Sequence, residues 1–355
     1  ATVDTTNPTA TIVFDQTSLK KETGSDGADE SVVTITFSEG VTAFSNDDLV
    51  VEGGTLTELT SNASNTVWTG TFTATDDSTT NAKVKFADAA NYTDVTGNDG
   101  ATDVEAVAVV DTVSPDLAAS GIEITAANLN DATNTSVVTI TFTEAVTEFN
   151  NSDITVTGGT LSTVGSNDGG VTWSGIFTAS DDSTANGTIT IGTDYQDLVG
   201  NVGADGGTDS VVVDTINPTA TVTFAEDGLD DDTNESLVTI VFSEAVANFS
   251  NADVSVVGGT LGTLTSADQI TWTATFTASD DSTEEASVTV IGEYEDNVGN
   301  IGATGADDTA TVDTTNPTAT IVFDQTSLKK ETGSDGADES VVTITFSEGV
   351  TAFSN

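Results

Sequence analysis

The chain has 355 residues, of which 58 are acidic and 6 basic, for a formal charge of −52. Such a surface repels phosphate backbones and anionic membranes, which argues against nucleic acid as a partner. With no Cys, Met or His, disulfides and thiolate chemistry are excluded, and zinc, copper and haem lose their usual ligands.

The six basic residues are all lysines, and residues 112–312 contain none. Bound cations, or a cation-rich solvent, are the natural complement. A strongly acidic chain can be disordered, but the regular apolar alternation below argues for folded domains. No stretch is long and apolar enough to span a membrane, so no membrane insertion is expected of this segment.

The four prolines all lie in one recurring stretch: Val3-Asp4-Thr5-Thr6-Asn7-Pro8, then Val110 to Pro115, Val213 to Pro218 and Val312 to Pro317. Proline fixes φ and holds the residue before it extended. A stiff segment at domain-sized spacing reads as a joint. Asp4, Asp111, Asp214 and Asp313 each begin one, at intervals of 107, 103 and 99 residues. Residues 1–46 recur unchanged as 310–355. The reading is therefore the end of a preceding repeat (1–3), repeats over 4–110, 111–213 and 214–312, and the start of a fourth over 313–355. That last piece is too short to bury a core alone, so the chain reads as a window on a longer array.

Within the first repeat, Thr9 to Phe14 is a first strand. Ser31 to Phe37 alternates cleanly, with Val33, Ile35 and Phe37 on one face. Strands over Leu49 to Glu52 and Thr55 to Leu59 flank the turn pair Gly53-Gly54. Thr66 to Ala74 places Trp68, Gly70, Phe72 and Ala74 on one face. Trp68, with Trp173 and Trp272 in the later repeats, is expected to be a buried core anchor. Lys83 to Ala87 and Val104 to Val110 complete the set. About seven short strands per repeat predict an all-β chain of tandem immunoglobulin-like β-sandwiches in an extended array.

Four motifs recur in fixed order: Asp-Thr-x-x-Pro at the joint, Phe-Ser-Glu-x-Val (Phe-Thr-Glu-x-Val in the second repeat) after the second strand, Val-x-Gly-Gly-Thr-Leu in the middle, and Tyr-x-Asp-x-x-Gly-Asn before the last strand. Together they resemble the bacterial Ig-like tandem repeats of giant surface adhesins, including the extender domains of calcium-dependent RTX-type adhesins. The resemblance covers all three repeats and the partial fourth. It implies an extracellular stalk at the bacterial cell surface, with Ca2+ stiffening the joints between neighbouring repeats of one long chain.

The candidate ligands follow from where the carboxylates repeat. Sandwich topology sends alternate loops to opposite poles. Glu39, Asp48, Asp94 and Asn98 fall at the pole where the chain enters. Glu144, Asp153, Asp197 and Asn201, then Glu244, Asp253, Asp296 and Asn300, are their equivalents. Asp29 and the pair Asp76-Asp77 fall at the exit pole, and the pair recurs as Asp181-Asp182 and Asp280-Asp281. In the partial repeat Asp313 and Glu348 hold the corresponding places. A joint is then expected to gather exit-loop acids, the linker Asp and entry-loop acids. Unit charges ~4 Å apart repel by roughly 4 kcal/mol at an effective dielectric of about 20. Calcium, taking six to eight oxygen ligands, suits such a site. The Asp-Asp-Ser-Thr loops equally fit a plain Asx-type turn, Gly97-Asn98 a left-handed turn, and Tyr92, Tyr195 and Tyr294 a loop pin.

A stiff spacer is the leading function. Alternatives are a filament subunit whose partial domain is completed by a neighbouring copy, and a glycan or surface recognition module presenting threonine-rich strands. An enzyme is not expected, because the paired acids lie in repeated turns and not in one singular pocket.

Overall fold

A computed structural model of the chain describes residues 3–87, 91–292, 294–330 and 338–354. The chain divides into two compact units, one of residues 1–129 and 134–213, the other of residues 130–133 and 214–355. Among the described residues there is no α-helix. Single 3-10 turns at Asn46–Asp48, Asn151–Asp153 and Asn251–Asp253 interrupt an otherwise all-β chain.

In the first repeat the strands are β1 (Ala10–Phe14), β2 (Ser18–Lys20), β3 (Glu30–Phe37), β4 (Val41–Thr42), β5 (Leu49–Glu52) and β6 (Gly54–Leu56). They continue as β7 (Thr60–Ser61), β8 (Val67–Ala74), β9 (Ala82–Phe86), β10 (Thr93–Asp94) and β11 (Glu105–Asp111). One sheet runs β1-β3-β8-β6, with β7 also paired to β8, and the other runs β2-β11-β9-β5. The second and third repeats build the same two sheets. The sandwich expected from the alternating pattern is therefore present.

Four short strands, β2, β4, β7 and β10, escape sequence reading because two or three residues show no period. Of these β2 matters most. It pairs parallel with β11, Leu19 opposite Val110 and Lys20 opposite Asp111. The fully buried Leu19 holds it there. The segment after β2 is thereby brought to the end of the last strand, beside the linker.

Each repeat has its own core. In the first, Val33, Ile35, Phe72, Val84 and Phe86 are almost completely buried. Burying one such side chain stabilises by ~1.5–3 kcal/mol. Aromatic rings concentrate at the entry end. Tyr92 packs 5.2 Å from Phe37, 5.3 Å from Phe44 and 5.4 Å from Phe86. Tyr195 packs 4.7 Å from Phe142, and Tyr294 4.8 Å from Phe242. The tryptophans differ from expectation: Trp68, Trp173 and Trp272 are half-buried at the margin of their cores. Trp68 meets Phe44 edge-on at 5.2 Å and donates its indole N–H to the Asn65 carbonyl at 3.3 Å. A strand end cannot enclose so large a ring on all sides.

Among the described residues of the partial fourth repeat, Ala319–Phe323 pairs antiparallel with Val342–Phe346. Ile321 and Phe323 are about 60% exposed, whereas the identical Ile12 and Phe14 are 7% and 6% exposed in the complete repeat.

Candidate metal centre

The entry loop of each repeat is built around one buried aspartate. Asp197 Oδ1 accepts from the main-chain N–H groups of Val199, Gly200 and Asn201 at 2.7–2.9 Å, and its Oδ2 from the Asn201 side chain at 2.6 Å. Asp296 repeats this with Val298, Gly299 and Asn300. Gly200 sits at φ +92° and Gly299 at +91°, a left-handed conformation costly for residues with a Cβ. Asp94 differs, accepting from Thr96 and Asn98. Burial pushes its carboxyl up, but these hydrogen bonds outweigh it and hold the group down at about 2.

The tyrosine two residues before each aspartate is fully buried and pins the far side of the loop. Tyr92 donates to the Ala101 carbonyl at 2.7 Å, Tyr195 to Asp205 at 2.7 Å and Tyr294 to Ala303 at 2.8 Å. Sequence reading overlooked the glycine lying against each ring: Gly100, Gly203 and Gly302. Its signal was available, since it follows the loop asparagine by two residues in every repeat.

Three carboxylates then converge at each complete repeat. Asp4, Glu39 and Asp94 form one group; Asp111, Glu144 and Asp197 a second; Asp214, Glu244 and Asp296 a third. In each, one oxygen per residue lies within 4.8 Å of the others. The glutamate carboxyls are shifted upward. Burial is the main cause, followed by the linker aspartate and the loop aspartate: Asp4 and Asp94 for Glu39, Asp111 and Asp197 for Glu144, Asp214 and Asp296 for Glu244. The ion pairs of lysine lie elsewhere, on Asp77, Glu52 and Glu105. Among the described residues no lysine ion pair falls on these groups, and three crowded carboxylates are a hard-oxygen donor set of the kind calcium takes.

The other candidates fall outside these groups. Asp76, Asp77, Asp181, Asp182, Asp280 and Asp281 are exposed. Asp77, Asp182 and Asp281 adopt φ of 48–51°, which makes these loops left-handed turns, and Lys21 pairs with Asp77 at 2.7 Å. What this loop does is hold the linker. Ser78 N–H donates to Thr112 Oγ1 at 3.0 Å, and the Thr112 hydroxyl donates to the Thr75 carbonyl at 2.7 Å. Thr314 bonds Ser282 and Ser279 in the same way. Threonine 112 and its equivalents, the Thr of Asp-Thr-x-x-Pro, were not singled out from sequence. Asp29 is buried but lies outside the three carboxylate groups, and the equivalent positions are Asn134 and Asn234. Asp48 caps the 3-10 turn, accepting from Ser45 N–H at 2.9 Å and Asn91 N–H at 2.7 Å. Asp153 and Asp253 cap the equivalent turns. Asp313 and Glu348 are exposed, and among the described residues neither belongs to a carboxylate group. Asn98, Asn201 and Asn300 direct their amide nitrogens onto Asp94, Asp197 and Asp296.

The sequence profile described as bacterial Ig-like domain matches residues 4–109, 111–213 and 214–312. The chain belongs to the bacterial Ig-like domain family. Three solved structures align with the chain. Invasin, titled a bacterial integrin-binding protein, aligns over 90% of this chain at 14% identity with a TM-score of 0.35. InvD of Yersinia pseudotuberculosis aligns over 86% of this chain and 98% of its own, at 15% identity and a TM-score of 0.39. The adhesin InvE of the same organism aligns over 54% of this chain and 58% of its own, at 14% identity and a TM-score of 0.24. The chain spans 63% of the length of invasin, less than two thirds of it. Comparison with curated protein sequences finds no match. No helix among the described residues is long and apolar enough to cross a membrane.

Proposed function

We propose that the chain is a spacer segment of a bacterial cell-surface adhesin, non-enzymatic and extracellular, in which Ca2+ neutralises the carboxylates at each repeat boundary. One observation carries this reading. The linker aspartate, which belongs to the joint, meets two carboxylates of the following repeat, and the same triad recurs three times. Asp111, Glu144 and Asp197, with their equivalents, would hold the ion. Its chemistry there is electrostatic, since it offsets repulsion that burial intensifies. Recurrence argues against catalysis, because a reactive centre is ordinarily singular. The partners are neighbouring repeats of the same chain, and nucleic acid is disfavoured by charge.

The test is calorimetric titration of Ca2+ into the whole chain, with thermal unfolding alongside. Expected are about three sites and a melting temperature that rises with calcium, as ligand binding to the folded state requires. A flat titration and an unchanged melting temperature would remove calcium from the account. Extracellular modules bind it at ~10⁻⁴–10⁻³ M, which sets the range to scan.

A second reading, assembly of copies, is favoured by the exposed apolar face of the paired strands Ala319–Phe323 and Val342–Phe346. It predicts a concentration-dependent mass in light scattering, and a constant monomer mass would end it.

A further inference from the structure

Asn201 is only 1% exposed and bonds three separate segments. Its Nδ2 donates to Asp197 Oδ2 at 2.6 Å within its own loop, and to the linker carbonyls of Asp111 at 2.9 Å and Val113 at 3.0 Å. Its Oδ1 accepts from the Lys21 main-chain N–H at 2.6 Å. Lys21 directly follows β2 and so belongs to the first repeat. We propose that Asn201 is a clamp that fixes the second repeat against the first without metal.

Two comparisons within the chain support this. In the second unit the same bond recurs, with Asp131 N–H donating to Asn300 Oδ1 at 2.7 Å and Asn300 Nδ2 donating to the Asp214 carbonyl at 2.9 Å. Lys21 and Asp131 carry opposite charges at equivalent positions. A bond from a main-chain N–H is indifferent to that difference, so the clamp survives sequence drift in the loop after β2. Asn98, in the first repeat, still bonds Asp94 at 2.7 Å but is half-buried, and its Nδ2 reaches the Asp4 carbonyl only at 3.4 Å. The loop therefore forms on its own, and the burial of Asn201 comes with its contact to the linker and to the segment after β2. A buried amide with both of its ends bonded is costly to break, because each lost partner leaves a desolvated polar group.

The clamp does not rest on the calcium reading, and the test separates them. The chain has no native cysteine, so spin labels can be placed by Ala63→Cys and Ala185→Cys, both exposed positions. The distance distribution is then measured on the full chain in EDTA and in calcium. The expected result is a narrow distribution in EDTA that widens at least twofold in Asn201→Ala. Lys21→Ala, which keeps the N–H, leaves it narrow; Lys21→Pro, which removes the N–H, widens it. If Asn201→Ala unfolds the second repeat, Lys21→Pro tests the same bond from the first. A wild-type distribution broad in EDTA and narrow only with calcium overturns the clamp while supporting the metal. Equal widths for wild type, Asn201→Ala and Lys21→Pro also overturn it.

Discussion

Gly203 lies against the ring of Tyr195 so closely that a Cβ at that position would sit 2.5 Å from the ring Cζ. The ring cannot retreat, because it is buried among Phe142 and Phe149 and its hydroxyl is held by the Asp205 carbonyl. Glycine at this place is thus a condition for the loop that carries Asp197.

Gly203→Ala is expected to destabilise the second repeat by ~1–3 kcal/mol, the usual cost of forcing an extra methyl into a packed site. Gly97→Ala would strain its loop through φ alone, since nothing lies near its missing Cβ. Thermal unfolding of both variants checks this. An unperturbed Gly203→Ala would mean that the ring moves freely.

Removing charge from the triads should act in opposite directions with and without calcium. In EDTA the variant Glu39→Gln/Glu144→Gln/Glu244→Gln relieves repulsion at three places and should melt at or above the wild-type temperature. With calcium it loses three ligands and should gain less than wild type. Melting curves in both buffers decide it, and an equal calcium response in variant and wild type would remove these glutamates from the site.

The pH dependence follows from the direction of the shifts. Glu39, Glu144 and Glu244 are held above their ordinary 4.5. Between that value and the raised one the native state binds more protons than the unfolded state, so lowering pH through this window raises stability. Asp94, held at about 2, contributes in the opposite sense: its stabilisation is present above its ordinary 3.8 and lost as pH falls toward 2. Urea unfolding in EDTA should therefore show a gain as pH is lowered from neutrality toward 4.5 that is smaller in the triple glutamine variant. Identical gains in both would contradict the assignment.

Asp48 should matter to folding and not to metal. Its carboxylate accepts from Ser45 and Asn91, so Asp48→Ala removes a cap worth about 1 kcal/mol. Its calcium titration should match wild type; a lost site would return Asp48 to the ligands.

Much was legible in the sequence because it is periodic. Val33, Ile35 and Phe37 alternate on a strand that the fold buries on one face, and four prolines mark joints. Trp68 was misjudged because alternation gives the face of a residue and not its depth in the core. Strand β2 was missed because three residues carry no period, and its place is set by Leu19 packing and by parallel pairing with a strand some ninety residues later.

Spacing and alternation along the chain are enough to give the repeat, the sandwich and the set of acidic residues that recur. Which of those acids meet is a property of the folded chain. Asp4, Glu39 and Asp94 come together because their three segments end at one pole, while Asp76 and Asp77 turn outward on a left-handed bend. Distance between carboxylates depends on loop closure and strand pairing, long-range properties that spacing along the chain does not encode. The same holds for Asn201, whose partners are 4, 88, 90 and 180 residues away.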